Sequence, residues 1–176
     1  MDSIVRTVGN LLPYHMLSYG TLLGTEFYQS FVNTKLCYKH LPMREFITLQ
    51  KRIFPVYFNC QLGLVILTAL TRPPYSVVSL AKNLWDAAPL VIIVVTGALN
   101  RFVYGPRTTK ATFVRRALQE SSNNETGTSG SDPSKLQQAN RAFSFNHAMT
   151  IHLNAISVVA TVWYAFSLSS SISSGL

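Results

Sequence analysis

The chain has 176 residues, of which 48% are apolar and only 12% charged, and its mean hydropathy is +0.21. Soluble domains carry about 25% charged residues, so the composition excludes an ordinary soluble globular protein and points to a membrane-embedded one. The net charge of +8 would suggest nucleic acid in a soluble chain; here its meaning lies in where the basic residues fall around the spans, and no nucleic-acid partner is expected.

At the N-terminus, "MDSIVRTVGN" lacks the short apolar core and small-residue cleavage site of a removable signal. The first span is therefore expected to act as the targeting signal and to be retained. A bilayer crossing needs about 20 apolar residues, and the first such window runs from about 14 to 36. Glu26 lies near its centre, the one formal charge between Arg6 and Lys35. An acidic residue at mid-membrane costs roughly 2.5–3.5 kcal/mol, while each Leu, Phe or Val returns about 0.3–0.6. The span is thus marginal by itself and needs partners in a bundle. Wound at about 100° per residue, it places Glu26, Gln29, Ser30 and Asn33 on one polar arc. Gly20 and Gly24 form a G-x-x-x-G pair on another side, expected to admit a neighbouring helix of the same chain.

In "MREFITLQKRIFP", Met43, Phe46, Ile47 and Gln50 recur at helical spacing beside Arg44, Lys51 and Arg52. That pattern predicts a short helix lying on anionic headgroups, with Pro55 in the tolerated first turn of a second span at about 54–71. Asn59 and Gln61 are polar positions in this otherwise apolar span. Cys37 and Cys60 match no zinc or C-x-x-C spacing and read as free thiols. A third span, about 84–104, has Asp86 at its mouth, the core "PLVIIVVTGAL" and Asn100 towards its end. "GPRTT" follows at 105–109 and is expected to break the helix at the interface. Together with Arg52 and Pro55, the residues Pro106, Arg107, Thr108 and Thr109 make an interfacial motif, read as a structural turn ahead of a phosphate or headgroup site.

Phe113, Val114, Ala117 and Leu118 then form an apolar face among basic neighbours, and residues 121–134, "SSNNETGTSGSDPS", read as a disordered hinge. Asp132-Pro133 supplies an N-cap and first helical position leading to a fourth span at about 145–168. There His147, Thr150, Asn154, Ser157 and Thr161 follow a three-four spacing that must face protein or water, with His152 on the far side. Trp85, Tyr104, Trp163 and Tyr164 are expected to anchor at the membrane interfaces.

Four spans place both ends and the second loop on one side with three basic residues, and the first and third loops on the other with twelve. Under the positive-inside rule both termini face away from the cytosol. The endoplasmic reticulum or another endomembrane is the expected location, with the mitochondrial outer membrane as the alternative.

Three stretches together resemble the transmembrane-protein-205-like family of small eukaryotic membrane proteins: "QKRIFPVYF" at 50–58, "GPRTT" after Asn100, and Phe143 followed by His147 and Asn154. The resemblance covers nearly the whole chain apart from 121–134 and the tail. It implies a four-helix membrane domain of endomembrane type without an established catalytic activity. The family tends to have Gly after the His and Ser two residues beyond it, where this chain has Ala148 and Thr150. Glu26 is not part of the resembling pattern.

The expected fold is therefore all-α: a polytopic membrane protein with four transmembrane helices in a bundle and short interfacial helices in the cytosolic loops. Its intramembrane polar cluster comprises Glu26, Gln29, Asn33, Asn59, Asn100, His147, Thr150, Asn154 and Ser157. In the favoured reading these side chains specify packing in a non-catalytic, partner-binding protein. In the alternative, Glu26 and His147 line a proton or ligand path of a small transport or channel component. A hydrolase or metal enzyme ranks last, because His147 and His152 do not share a helical face and no H-E-x-x-H or serine elbow occurs. No cofactor is expected; the expected partners are anionic headgroups at the basic loops and a membrane protein or a second copy of the chain.

Overall fold

Hydrocarbon offers backbone N–H and C=O groups no partner, so a chain this apolar must satisfy its backbone within each segment. A computed structural model describes residues 10–73, 77–82, 84–124 and 133–173, and all regular structure among them is helical. The first helix, α1 (Leu11–Phe27), starts where Asn10 Oδ1 accepts from the Leu12 N–H at 3.0 Å. It runs without a break into a π-helical segment, π1 (Tyr28–Asn33), and then α2 (Thr34–His40). After Leu41 and Pro42 comes α3 (Met43–Leu70), followed by the short α4 (Val77–Lys82). The next stretch is α5 (Leu84–Leu99), a second π-helical segment, π2 (Asn100–Tyr104), and α6 (Gly105–Asn124). The last helix is α7 (Pro133–Ser173).

Three helical stretches are long and apolar enough to cross a membrane: Met43–Leu70, Leu84–Ser121 and Ser134–Ser173. The first expected span, 14–36, is helical throughout but divided between α1, π1 and α2. In the packed helices α1 lies on α3, α3 on α5, α5 on α7, and α7 touches α1 again, with α6 folded along α7. An apolar cluster at the centre includes Leu22, Val65, Ile93, Ala160 and Tyr164. Around it the usual distribution is reversed. Glu26, Gln61, Thr68, Asn100, Ser157 and Thr161 are buried, whereas Leu17, Val159 and Phe166 are each about 70% exposed. Polar groups inside and large apolar groups outside suit a surface that meets lipid instead of water.

Several boundaries differ from the sequence expectations. The stretch at 43–52 is not a separate surface helix: it is the first part of α3, so Pro55 lies in a helix interior. Inside a packed membrane bundle, neighbouring groups can compensate the backbone bond a proline removes, which makes an interior proline tolerable. Gly-Pro at 105–106 likewise does not end the third helix. The turn widens to π2, the Gly105 N–H reaches the Asn100 carbonyl, and α6 continues. A Cβ at position 105 would stand 2.5 Å from the Asn100 carbonyl oxygen, so the close approach requires glycine. Of the expected hinge 121–134, residues 121–124 complete α6, Pro133 opens α7 as expected, and 125–132 lie outside the described residues. Gly20 and Gly24 do not admit a neighbour within the chain, since a Cβ at either would meet nothing within 4 Å.

Candidate functional site

The helix faces that carry polar residues at three-four spacing meet in the interior, where a side chain must find a partner or remain costly. Glu26 of α1 is fully buried. Its Oε1 accepts from Gln61 Nε2 of α3 at 2.6 Å and from Ser157 Oγ of α7 at 3.0 Å. Gln61 Nε2 also donates to Ser157 Oγ at 2.7 Å, so three helices meet in one closed set of hydrogen bonds. Thr161, on the same face of α7 as Ser157, spends its hydroxyl proton on the Ser157 carbonyl at 3.0 Å. Glu26 Oε2 and Gln61 Oε1 are buried acceptors with no donor among the described residues. The fourth wall is close: a Cβ on Gly97 of α5 would stand 3.0 Å from Gln61 Oε1.

One turn away the same helices are tied again. Tyr57 Oη donates to Asn154 Oδ1 at 2.7 Å, and Asn154 Nδ2 donates to Ser30 Oγ at 2.7 Å. Ser30 lies in π1, as does Gln29, whose Oε1 accepts from Asn33 Nδ2 at 2.8 Å. At the end holding the loop between α5 and α7, Asn100 Nδ2 donates to the Thr150 carbonyl at 3.2 Å, and the Thr108 and Thr150 hydroxyls are 3.3 Å apart. Arg101 Nε donates to Asn59 Oδ1 at 2.7 Å, tying π2 to α3.

At the opposite end His15 of α1 is fully buried. Its Nδ1 donates to the Thr68 carbonyl at 3.0 Å, which leaves Nε2 to accept from Tyr164 Oη at 3.1 Å. Nearby, Arg72 and Asp86 form a buried ion pair at 2.7 Å. Arg72 Nη2 also donates to Ser171 Oγ at 2.7 Å, and Ser167 Oγ donates to Asp86 Oδ1.

The expected cluster is thus partly assembled. Glu26 and Ser157 share one centre, and Gln29, Asn33 and Asn154 stand within the same seam. Asn100 and Thr150 meet at a separate level. His147 is exposed and stacks on Phe143 with ring centroids 5.2 Å apart, so it does not join Glu26. Ten residues of helix, about 15 Å of rise, separate it from Ser157. Asn59 is exposed and serves Arg101. In the interfacial motif Thr108 faces α7, Thr109 and Pro55 are half-buried, and Arg52, Pro106 and Arg107 are exposed.

Sequence reasoning missed the His15–Tyr164 contact and the Arg72–Asp86 pair. Tyr164, expected as an interface anchor, is fully buried. The signal was present: the stripe through Ser157 and Thr161 continues at the same spacing to Tyr164, Ser167 and Ser171.

Comparison with known proteins places the chain in a family. A family described as a domain of unknown function, DUF4149, matches residues 17–117, and the chain belongs to it. That range holds Glu26, Gln61 and two of the three stretches behind the resemblance noted above. The chain is also 57% identical over 176 residues to "Xanthocillin biosynthesis cluster protein D" of Aspergillus fumigatus, covering 100% of both proteins. No solved structure matches the chain.

Proposed function

We propose that this member of the DUF4149 family is a non-catalytic, four-span protein of an endomembrane whose buried polar core specifies helix packing and whose surface binds a membrane partner. In this reading α1, π1 and α2 together cross the bilayer, both ends are lumenal, and the relationship to the transmembrane-protein-205-like family is a true one. The name of the relative in Aspergillus fumigatus adds a context, a biosynthesis cluster, and in this reading the partner is another membrane protein of such a cluster. The observation that carries the proposal is the closed set of hydrogen bonds among Glu26, Gln61 and Ser157. These groups come from three helices, and Glu26 Oε1, Gln61 Nε2 and Ser157 Oγ bond to one another, which is what a packing determinant does.

A second reading, a small transport component, is favoured by one observation. Glu26 Oε2 and Gln61 Oε1 are buried acceptors without donors among the described residues, and a proton or a donor group of a ligand would satisfy them. His147 takes no part in this version. The test compares the wild-type chain with Glu26→Gln, which is nearly isosteric, in two measurements: the set of proteins co-purified from detergent-solubilised membranes, and proton flux in reconstituted vesicles. The packing reading expects an unchanged partner set and no flux above protein-free vesicles. Flux that Glu26→Gln abolishes would overturn it in favour of transport.

A further inference from the structure

The seam between α1 and α3 is closed inside by the Glu26–Gln61 bond but open outside. There a groove of about 660 Å³ lies between Gly24 and Tyr28 on one helix and Val56 and Cys60 on the other, with Arg52 at one end. Gly24 makes the hollow: a Cβ at that position would meet no atom within 4 Å. At the basic end π1 shifts the helix register beside the groove, with Tyr28 and Gln29 on its wall. π-bulges of this kind occur often at functional sites.

The charge at that end is uneven in its use. Lys51 lies over the Phe113 ring, 4.4 Å from its centroid. Arg52, next in the chain, is exposed and makes no hydrogen bond or ion pair among the described residues. From Arg52 to Cys60 the groove descends about 12 Å along α3 at 1.5 Å per residue, from a basic rim into an apolar slot. A second hollow between the same two helices, around Tyr14, Leu17 and Leu67, has no basic residue. Basic pockets between spans on the cytosolic side suit anionic lipid headgroups, and a guanidinium matches a phosphate with two parallel N–H donors.

We propose that this groove is a binding site for an anionic phospholipid, with the phosphate on Arg52 and an acyl chain along Gly24, Val56 and Cys60. The proposal rests on α1 and α3 standing side by side in the bilayer, as in the four-span reading.

The test reconstitutes the full chain in phosphatidylcholine nanodiscs carrying a trace of phosphatidylserine or phosphatidylcholine with a photoactivatable group on the acyl chain, and maps the labelled residues by mass spectrometry. Phosphatidylserine should label 24, 56 and 60 above phosphatidylcholine. Arg52→Gln should lower that label about five-fold, the effect of one basic residue at a membrane surface, whereas Lys51→Gln should leave it in place. Gly24→Leu, whose Cβ would meet no atom within 4 Å and whose side chain would fill the hollow, should remove groove label from both lipids. Equal labelling by both lipids, or no response to Arg52→Gln, would reduce the groove to ordinary lipid contact and overturn the proposal. Unlabelled groove residues together with efficient Cys60–Cys60 crosslinking between chains would assign the groove to a second copy instead. If the outward Leu17 is also unlabelled, α1 is not in the bilayer, and the span reading fails along with the site.

Discussion

Replacing Gln61 by leucine tests the polar centre directly. The substitution removes the 2.6 Å bond to Glu26 and the 2.7 Å bond to Ser157 while keeping an apolar side chain of similar size in the seam. Interhelical hydrogen bonds in membranes contribute about 0.6 kcal/mol on average and about 1.7 at most. Two of them therefore account for about 1–3 kcal/mol. Glu26, fully buried, is then left with one donor, Ser157, and a buried group short of partners costs about 1–3 kcal/mol more. The expected loss is about 2–6 kcal/mol. Glu26→Leu combined with Gln61→Leu should cost less than the sum of the single changes by about 1–3 kcal/mol, because no stranded group remains. The assay is reversible unfolding of the purified protein in mixed micelles on titration with dodecyl sulfate. Tryptophan fluorescence can report it, since Trp85 and Trp163 pack edge to face across α5 and α7 at 4.9 Å. A single-mutant loss below about 0.5 kcal/mol, or strict additivity of the pair, would show that the network does not hold the helices together.

The same titration checks two further expectations. Arg72→Met leaves Asp86 buried without its cation and should cost about 3–5 kcal/mol, most of it recovered by Arg72→Met with Asp86→Leu; a loss that the second change does not recover would refute the pairing argument. Gly105→Ala must displace the Asn100 carbonyl and should cost about 1–3 kcal/mol, whereas Gly63→Ala, which meets no atom within 4 Å, should stay within about 0.5; equal effects would count against a steric role for Gly105. Topology has its own reporter in the acceptor sequence Asn124-Glu125-Thr126. With a second acceptor on an extended C-terminus, sugar is expected on the C-terminal site alone. Modified Asn124 would invert the orientation, and no sugar on either site would place the protein outside the secretory pathway.

Composition and helical period were enough to show which helices are apolar enough for a membrane and which faces turn inward. Charge-free windows locate the apolar helices because hydrocarbon penalises charge wherever it occurs in the chain, and the stripe from Thr150 to Thr161 points inward because its spacing follows the helical period. The polar arc of Glu26, Gln29 and Ser30 was legible for the same reason. Which polar groups meet depends on how the helices pack. Glu26 finds Gln61 and Ser157 instead of His147, since a contact between helices depends on relative depth and rotation, which no single helix period encodes. Arg72, just past the C-terminus of α3, and Asp86, at the mouth of the third expected span, become a buried pair only where α3 meets α5, with Ser171 of α7 beside them. Pro55 and Gly-Pro at 105–106 read locally as helix boundaries, yet the helices pass through them. Local propensity sets the cost of continuing a helix; whether packing and a widened π turn offset that cost depends on neighbours far away in the chain.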